Sequence, residues 1–258
     1  MVDVQRRGSM FGVKDIFTTI NLLGGVIAIC LAIDGNPYDA GFAVILGYLL
    51  GDTLDGYVAR KLGTANEFGA EYDTISDHTA HVIAPAAIVY AVYKDVGLLA
   101  QPWDQVLAIA LAAVLVVSVS IRHARNIVAP VNFKGVWAGL PRSVLGFLAI
   151  GYCNSSFAAT APGGWWVGVV LIPVMAVATL TYFPFPSHRL ARSHRWYVRV
   201  LSITFLASMA YALILRRDLV FDIFTFWMVG YSLTSWLSLT TEERVQYRRV
   251  VEAARSQS

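Results

Sequence analysis

The chain has 258 residues, of which 57% are hydrophobic and only 14% charged, with a net charge of +3. Soluble domains carry about a quarter charged residues, so this composition excludes an ordinary water-soluble globule. The small basic excess is spread over several loops and gives no nucleic-acid signal.

In chain order, the apolar runs predict about eight transmembrane helices, near 15–33, 40–60, 74–93, 105–121, 143–160, 165–183, 197–214 and 220–238. Each approaches the ~20 residues needed to cross the hydrocarbon core. The first holds Thr18, Asn21 and Gly25, whose spacing of three then four keeps them on one helical face. The second and third are weakened by aspartates and must bury them against each other, away from lipid. Of the 20 Lys and Arg residues, all but Lys94, Arg216 and Arg217 fall on one side of this topology. That bias predicts a multi-pass protein of the cell membrane, with both termini and the aspartates on the cytoplasmic side. The bilayer is then its surroundings, and its basic loops meet anionic headgroups. Trp103, Trp165 and Trp166 read as interface anchors. Cys30 and Cys153 lie in apolar runs, with neither metal nor disulfide spacing. Residues 1–14 read as a cytoplasmic N-terminal segment and 241–258 as a cytoplasmic basic tail.

The most informative stretch is Asp52-x2-Asp55-Gly56-x2-Ala59-Arg60-x8-Gly69-x3-Asp73-x3-Asp77. Spacings of three and four place each aspartate pair on one helical face. Two such faces turned toward each other make a pocket of four carboxylates, which repel unless hard divalent cations neutralise them. Gly56 and Gly69 leave room for a nucleotide or a neighbouring helix, and Arg60 can pair with a phosphate or a carboxylate. These parts suit two-metal phosphoryl transfer, with ions about 3.5–4 Å apart clamping a pyrophosphate. The same carboxylates are compatible with a buried ion-pair network, which would still need cations, and with a cation transport protein. Gly56, Ala59 and Arg60 beside the carboxylates argue against transport. His78 stands beside Asp77 as a rival proton acceptor, and His78 and His81 both read as structural hydrogen-bonding residues, with a ligand role as the alternative.

The string from Gly51 to Asp77 resembles, at every fixed position, the signature of the CDP-alcohol phosphotransferases. That resemblance implies an all-α integral membrane fold, with a six-helix core over 15–186 and two additional transmembrane helices over 187–240. It implies that Asp52, Asp55, Asp73 and Asp77 bind two divalent ions, Mg2+ or Mn2+. Asp55, Gly56, Ala59, Arg60 and Gly69 would shape the CDP site, with Thr18 and Asn21 near the nucleotide. Asp77 would be the general base, and the protein a homodimer.

Further landmarks resemble the phosphatidylserine synthase branch of that family. These are Arg122-His123-Ala124-Arg125-Asn126, then Gly139-Leu140-Pro141, then Phe183-Pro184. The Phe that precedes the Asn in that branch is missing, and Arg142 stands where the branch has an apolar residue. The expected reaction is transfer of a phosphatidyl group from CDP-diacylglycerol to L-serine, releasing CMP. Arg122, Arg125 and Arg142 would hold the acceptor or the lipid phosphate. Glycerol phosphate and inositol phosphate are the alternative acceptors, since Arg142 and Lys134 could hold a second phosphate.

Overall fold

The structure, a computed structural model, describes residues 11–52, 66–187, 196–235 and 239–256. Helix α1 (Val13–Ile33) begins where Asp15 Oδ2 accepts the Gly12 N–H at 2.7 Å. One stripe of α1 is buried, including Thr18, Asn21, Gly24, Gly25, Ala28 and Ala32. Steps of three and four in that stripe are the helical period. Its small residues let two neighbours approach at backbone distance, the packing that helices use in lipid. Toward α2 (Pro37–Gly47), a Cβ on Gly24 would lie 2.7 Å from Gly47 Cα. Toward the next helical rod, a Cβ on Gly25 would lie 2.7 Å from Ala80 Cα.

That second contact makes a prediction. Because the obstacle to a side chain on Gly25 is backbone, Gly25→Val cannot be absorbed by a rotamer change. It should cost about 1–3 kcal/mol through overpacking, read as a lowered thermal midpoint in detergent. Gly230, which has open space around its Cα, should tolerate Ala without such a shift.

After Gly47 the chain widens into a π-helical turn, Tyr48–Asp52. Helix α3 (Glu67–His78) starts where the Asn66 side chain accepts the Gly69 N–H at 2.7 Å. It passes through a second π-helical turn, Thr79–Ile83, and continues as α4 (Ala84–Tyr93). Single π turns inside helices often mark functional sites, because the extra residue rotates the side chains that follow.

Helix α4 is central, touching α1, α2, α5 (Trp103–Val128) and α6 (Arg142–Cys153). Helix α6 is buried without interruption from Leu145 to Cys153, as expected of a helix walled in on all sides. The short α7 (Ser156–Thr160) follows, then α8 (Gly164–Leu180), which packs on α5 and α6. Helix α9 (Trp196–Leu215) leads through a 3₁₀ turn, Arg217–Leu219, into α10 (Val220–Thr234). The core unites Val44, Ile88, Leu115, Leu148, Ile172 and Phe221.

Three features depart from expectation. Every predicted apolar run contains helix, but α1 and α5 alone among the described helices are long and apolar enough to cross a bilayer unaided. Helix α6, α8 and Val200–Leu215 are apolar but shorter, and the predicted span at 143–160 breaks at Asn154–Ser155, where α7 begins. The chain is also not purely helical. Strand β1 (Val136–Ala138) pairs antiparallel with β2 (Pro184–Pro186), Trp137 opposite Phe185. Finally, the basic tail is a helix, α11 (Thr241–Arg255), opened by a capping box in which Thr240 and Glu243 satisfy each other's backbone N–H. Its Tyr247 and Val251 close a small satellite core with Val136 and Leu239.

One face of helix α10 packs into the core, while Phe226 and Leu233 on its other side are exposed. Val220, Phe221 and Phe224 are buried, and Phe221 packs edge-on against Tyr38 and Phe42 of α2. The Asp222 carboxylate accepts the N–H and the hydroxyl of Ser156, each at 2.9 Å.

Candidate active site

Asp77 is the hub. It sits in the last turn of α3, where the close approach of α1 at Gly25 and of α6 at Gly146 brings three elements together. Asn21 of α1 donates its Nδ2–H to Asp77 Oδ1 at 3.1 Å, and Arg142 donates to Asp77 Oδ2 at 2.6 Å. Ser76 ties the same turn to α1 by donating to the Thr18 carbonyl at 3.0 Å. Nε2 of His81 lies 3.6 Å from the same Asp77 Oδ1. Asp52, at the end of the first π turn, completes the cluster: one ligand atom each from Asp52, Asp77 and His81 lie within 4.8 Å of one another.

Arg142 reaches Asp77 because the turn before it is pinned. Gly139 has φ +77°, and a Cβ there would collide with the Thr179 carbonyl at the end of α8. The Gly139 N–H donates to the Phe183 carbonyl at 2.9 Å and the Leu140 N–H to the Ala178 carbonyl at 3.1 Å. Pro141 then caps α6, with Arg142 as its first residue.

Residues 12–181 match the model of the CDP-alcohol phosphatidyltransferase family. The chain belongs to that family. A relative from Methanocaldococcus jannaschii named CDP-diacylglycerol–serine O-phosphatidyltransferase is 29% identical over 177 residues, 68% of this chain and 75% of the relative. An archaetidylserine synthase from Methanothermobacter thermautotrophicus is 33% identical over 97 residues, 37% of this chain and 41% of that protein. A CDP-diacylglycerol–serine O-phosphatidyltransferase from Mycobacterium leprae is 27% identical over 167 residues, covering 63% of this chain and 52% of its own length. The chain thus spans about half or less of the length of the last two.

Within this family member, the predicted site residues fare differently. Asp52 and Asp77 come together, with Asn21 on Asp77 and Thr18 one turn away. Asp73 lies one turn ahead of Asp77 on α3 and is not in the three-residue cluster. Asp55, Gly56, Ala59 and Arg60 lie outside the described residues. Gly69 faces the buried Lys14–Asp15 pair on α1, so a side chain there would displace Lys14.

The three arginines also separate. Arg125 has its guanidinium on backbone: it donates to the carbonyls of Leu180 at 2.6 Å, Thr181 at 3.2 Å and Ala138 at 3.3 Å. It also lies 4.5 Å from the centroid of the Tyr182 ring, opposite Arg255 at 4.4 Å. Those contacts close the end of α8, whose last carbonyls lack intrahelical donors. Arg122, one turn earlier, is 8% exposed, and its Nε has no hydrogen-bond partner among the described residues. It stands within electrostatic reach of Arg142, as does His78. A cavity of about 390 Å³ lies apart from this cluster, between α11 and Tyr182–Pro184.

His81 takes a place in the cluster that its sequence position alone does not reveal. It is 2% exposed, yet neither ring nitrogen has a hydrogen-bond partner among the described residues. A buried, orphaned imidazole beside two carboxylates is the donor set of a divalent cation, so the residues present fit the ions implied by the motif.

Proposed function

We propose that the protein transfers a phosphatidyl group from CDP-diacylglycerol to L-serine, yielding phosphatidylserine and CMP at the cytoplasmic face of a membrane. The observation that carries this reading is Asp77, held between the Asp52–His81 cluster on one side and Arg142 on the other. The names of the relatives favour serine as acceptor, and the basic bias of one face supports the cytoplasmic orientation and a multi-pass topology.

Asp52, Asp77 and, in the motif, Asp55 and Asp73 would hold the divalent ions, which on binding neutralise the pyrophosphate and the departing CMP phosphate. The seryl oxygen attacks the lipid-side phosphorus, the bond from that phosphorus to the CMP phosphate oxygen breaks, and the seryl proton passes to Asp77. Arg142 has a second use. Its partner now is the Asp77 carboxylate, and an incoming serine carboxylate competes for the same guanidinium. Serine binding would thereby loosen Asp77 at the moment a base is needed. Arg122, buried behind Arg142, reinforces that anion-binding corner. Arg125, with its donors on carbonyls, holds the end of α8.

The test is CMP release from purified protein in detergent, with CDP-diacylglycerol, Mn2+ or Mg2+, and one acceptor at a time. Release that requires L-serine is the expected result. Release that requires glycerol phosphate or inositol phosphate keeps the family and overturns the acceptor assignment.

A further inference from the structure

His81 is a buried polar group that the family motif does not use and that the fold takes trouble to hold. Its ring sits between Tyr48 and Phe147, with centroid distances of 5.5 and 5.2 Å, and Gly146 of α6 presses on its carbonyl. The ring is 2% exposed, and both nitrogens lack a hydrogen-bond partner among the described residues. A buried polar group left unsatisfied loses its hydration without replacement, so a ring kept in this state calls for a partner.

That partner is not Asp77 by direct hydrogen bond. The separation of 3.6 Å between Nε2 and Asp77 Oδ1 is too long for one. It is the separation of two ligands that share an ion. The ligand atoms of Asp52, Asp77 and His81 all lie within 4.8 Å of one another, and donors around a single divalent cation span roughly 4–5 Å. The second π turn produces this arrangement: it places His81 four residues after Asp77 and turned toward Asp52.

We propose that His81 Nε2 is a direct ligand of one divalent ion and tilts the site toward first-row transition ions over Mg2+. A neutral imidazole is a nitrogen donor, which raises affinity for Mn2+ and Co2+ but suits the hard, oxygen-seeking Mg2+ poorly. The inference rests on the divalent-ion reading above and concerns a residue to which the motif gives no role.

Pulsed EPR on the Mn2+-loaded protein provides a readout independent of turnover. The wild type should show 14N coupling from a directly bound imidazole. The coupling should vanish in His81→Phe, whose ring suits the space between Tyr48 and Phe147, and in His81→Gln, a polar substitute should Phe fold poorly. His78→Gln should retain it. In parallel, Co2+ affinity should fall about tenfold or more in the His81 variants, while Mg2+ affinity stays within about threefold. Mn2+ bound without 14N coupling in the wild type, or coupling that survives in both His81 variants, would overturn the His81 assignment and leave the carboxylate site standing. A wild-type protein that binds no Mn2+ would overturn both.

Discussion

Asp77→Asn should leave a folded protein that releases CMP about 10²–10⁴ times more slowly than the wild type at saturating serine. The substitution is nearly isosteric and keeps an oxygen to accept from Arg142, so the 2.6 Å contact that positions α6 against α3 has a replacement. What it removes is the negative charge at the meeting point of Asn21, Arg142 and the Asp52–His81 cluster. Both proposed duties of Asp77 need that charge, one to take the seryl proton and one to help hold an ion. The two separate by measurement. If proton transfer dominates, kcat falls while Mn2+ affinity changes little; if metal binding dominates, raising Mn2+ restores part of the rate. Retention of more than a tenth of wild-type activity at ordinary Mn2+ would remove Asp77 from both roles.

Arg142→Gln should raise the serine KM roughly 10- to 100-fold, the loss expected when a charge-assisted contact to a carboxylate is removed. The KM for CDP-diacylglycerol should stay within about threefold, because the donor is proposed to bind through the aspartate motif. Stability should fall as well. The Arg142 and Asp77 side chains are 22% and 14% exposed, so neither charge is fully hydrated, and removing one strands the other. Arg142→Lys restores the charge without the planar fork and should recover only part of the affinity. Steady-state kinetics with serine and donor varied in turn would check this, and an unchanged serine KM would place the acceptor elsewhere.

Much of this arrangement is visible in the sequence, for identifiable reasons. The aspartate spacing encodes which carboxylates share a helical face, since that depends only on the 3.6-residue period. Thr18, Asn21 and Gly25 reveal the buried side of α1 in the same way, and Asn21 does meet Asp77. His81 was readable as a position but not as an orphan. Its unsatisfied state depends on Tyr48 and Phe147, which come from other helices, and on a π turn that has no compositional signature. The Arg142–Asp77 contact joins residues 65 apart in sequence, and the departure at Arg142 carries no sign of its partner. Arg125 is ambiguous in the sequence for a related reason. An arginine ending an apolar run serves equally well for snorkelling, for phosphate, or for the bare carbonyls of another helix, and here it takes the carbonyls. The helix over Thr241–Arg255 was written in the chain through its Thr240–Glu243 capping box and the spacing of Tyr247, Val251 and Ala254, but its charge made it resemble a tail.

The central claim is that the seryl oxygen itself displaces CMP from the lipid phosphorus while Asp77 receives the proton. Serine labelled with 18O in its hydroxyl tests it directly, with the lipid product and the CMP each analysed by mass spectrometry. The account predicts that the label is retained in the phosphodiester of phosphatidylserine and that CMP carries none. Label found in CMP, or CMP released at full rate with no labelled lipid formed, would contradict it.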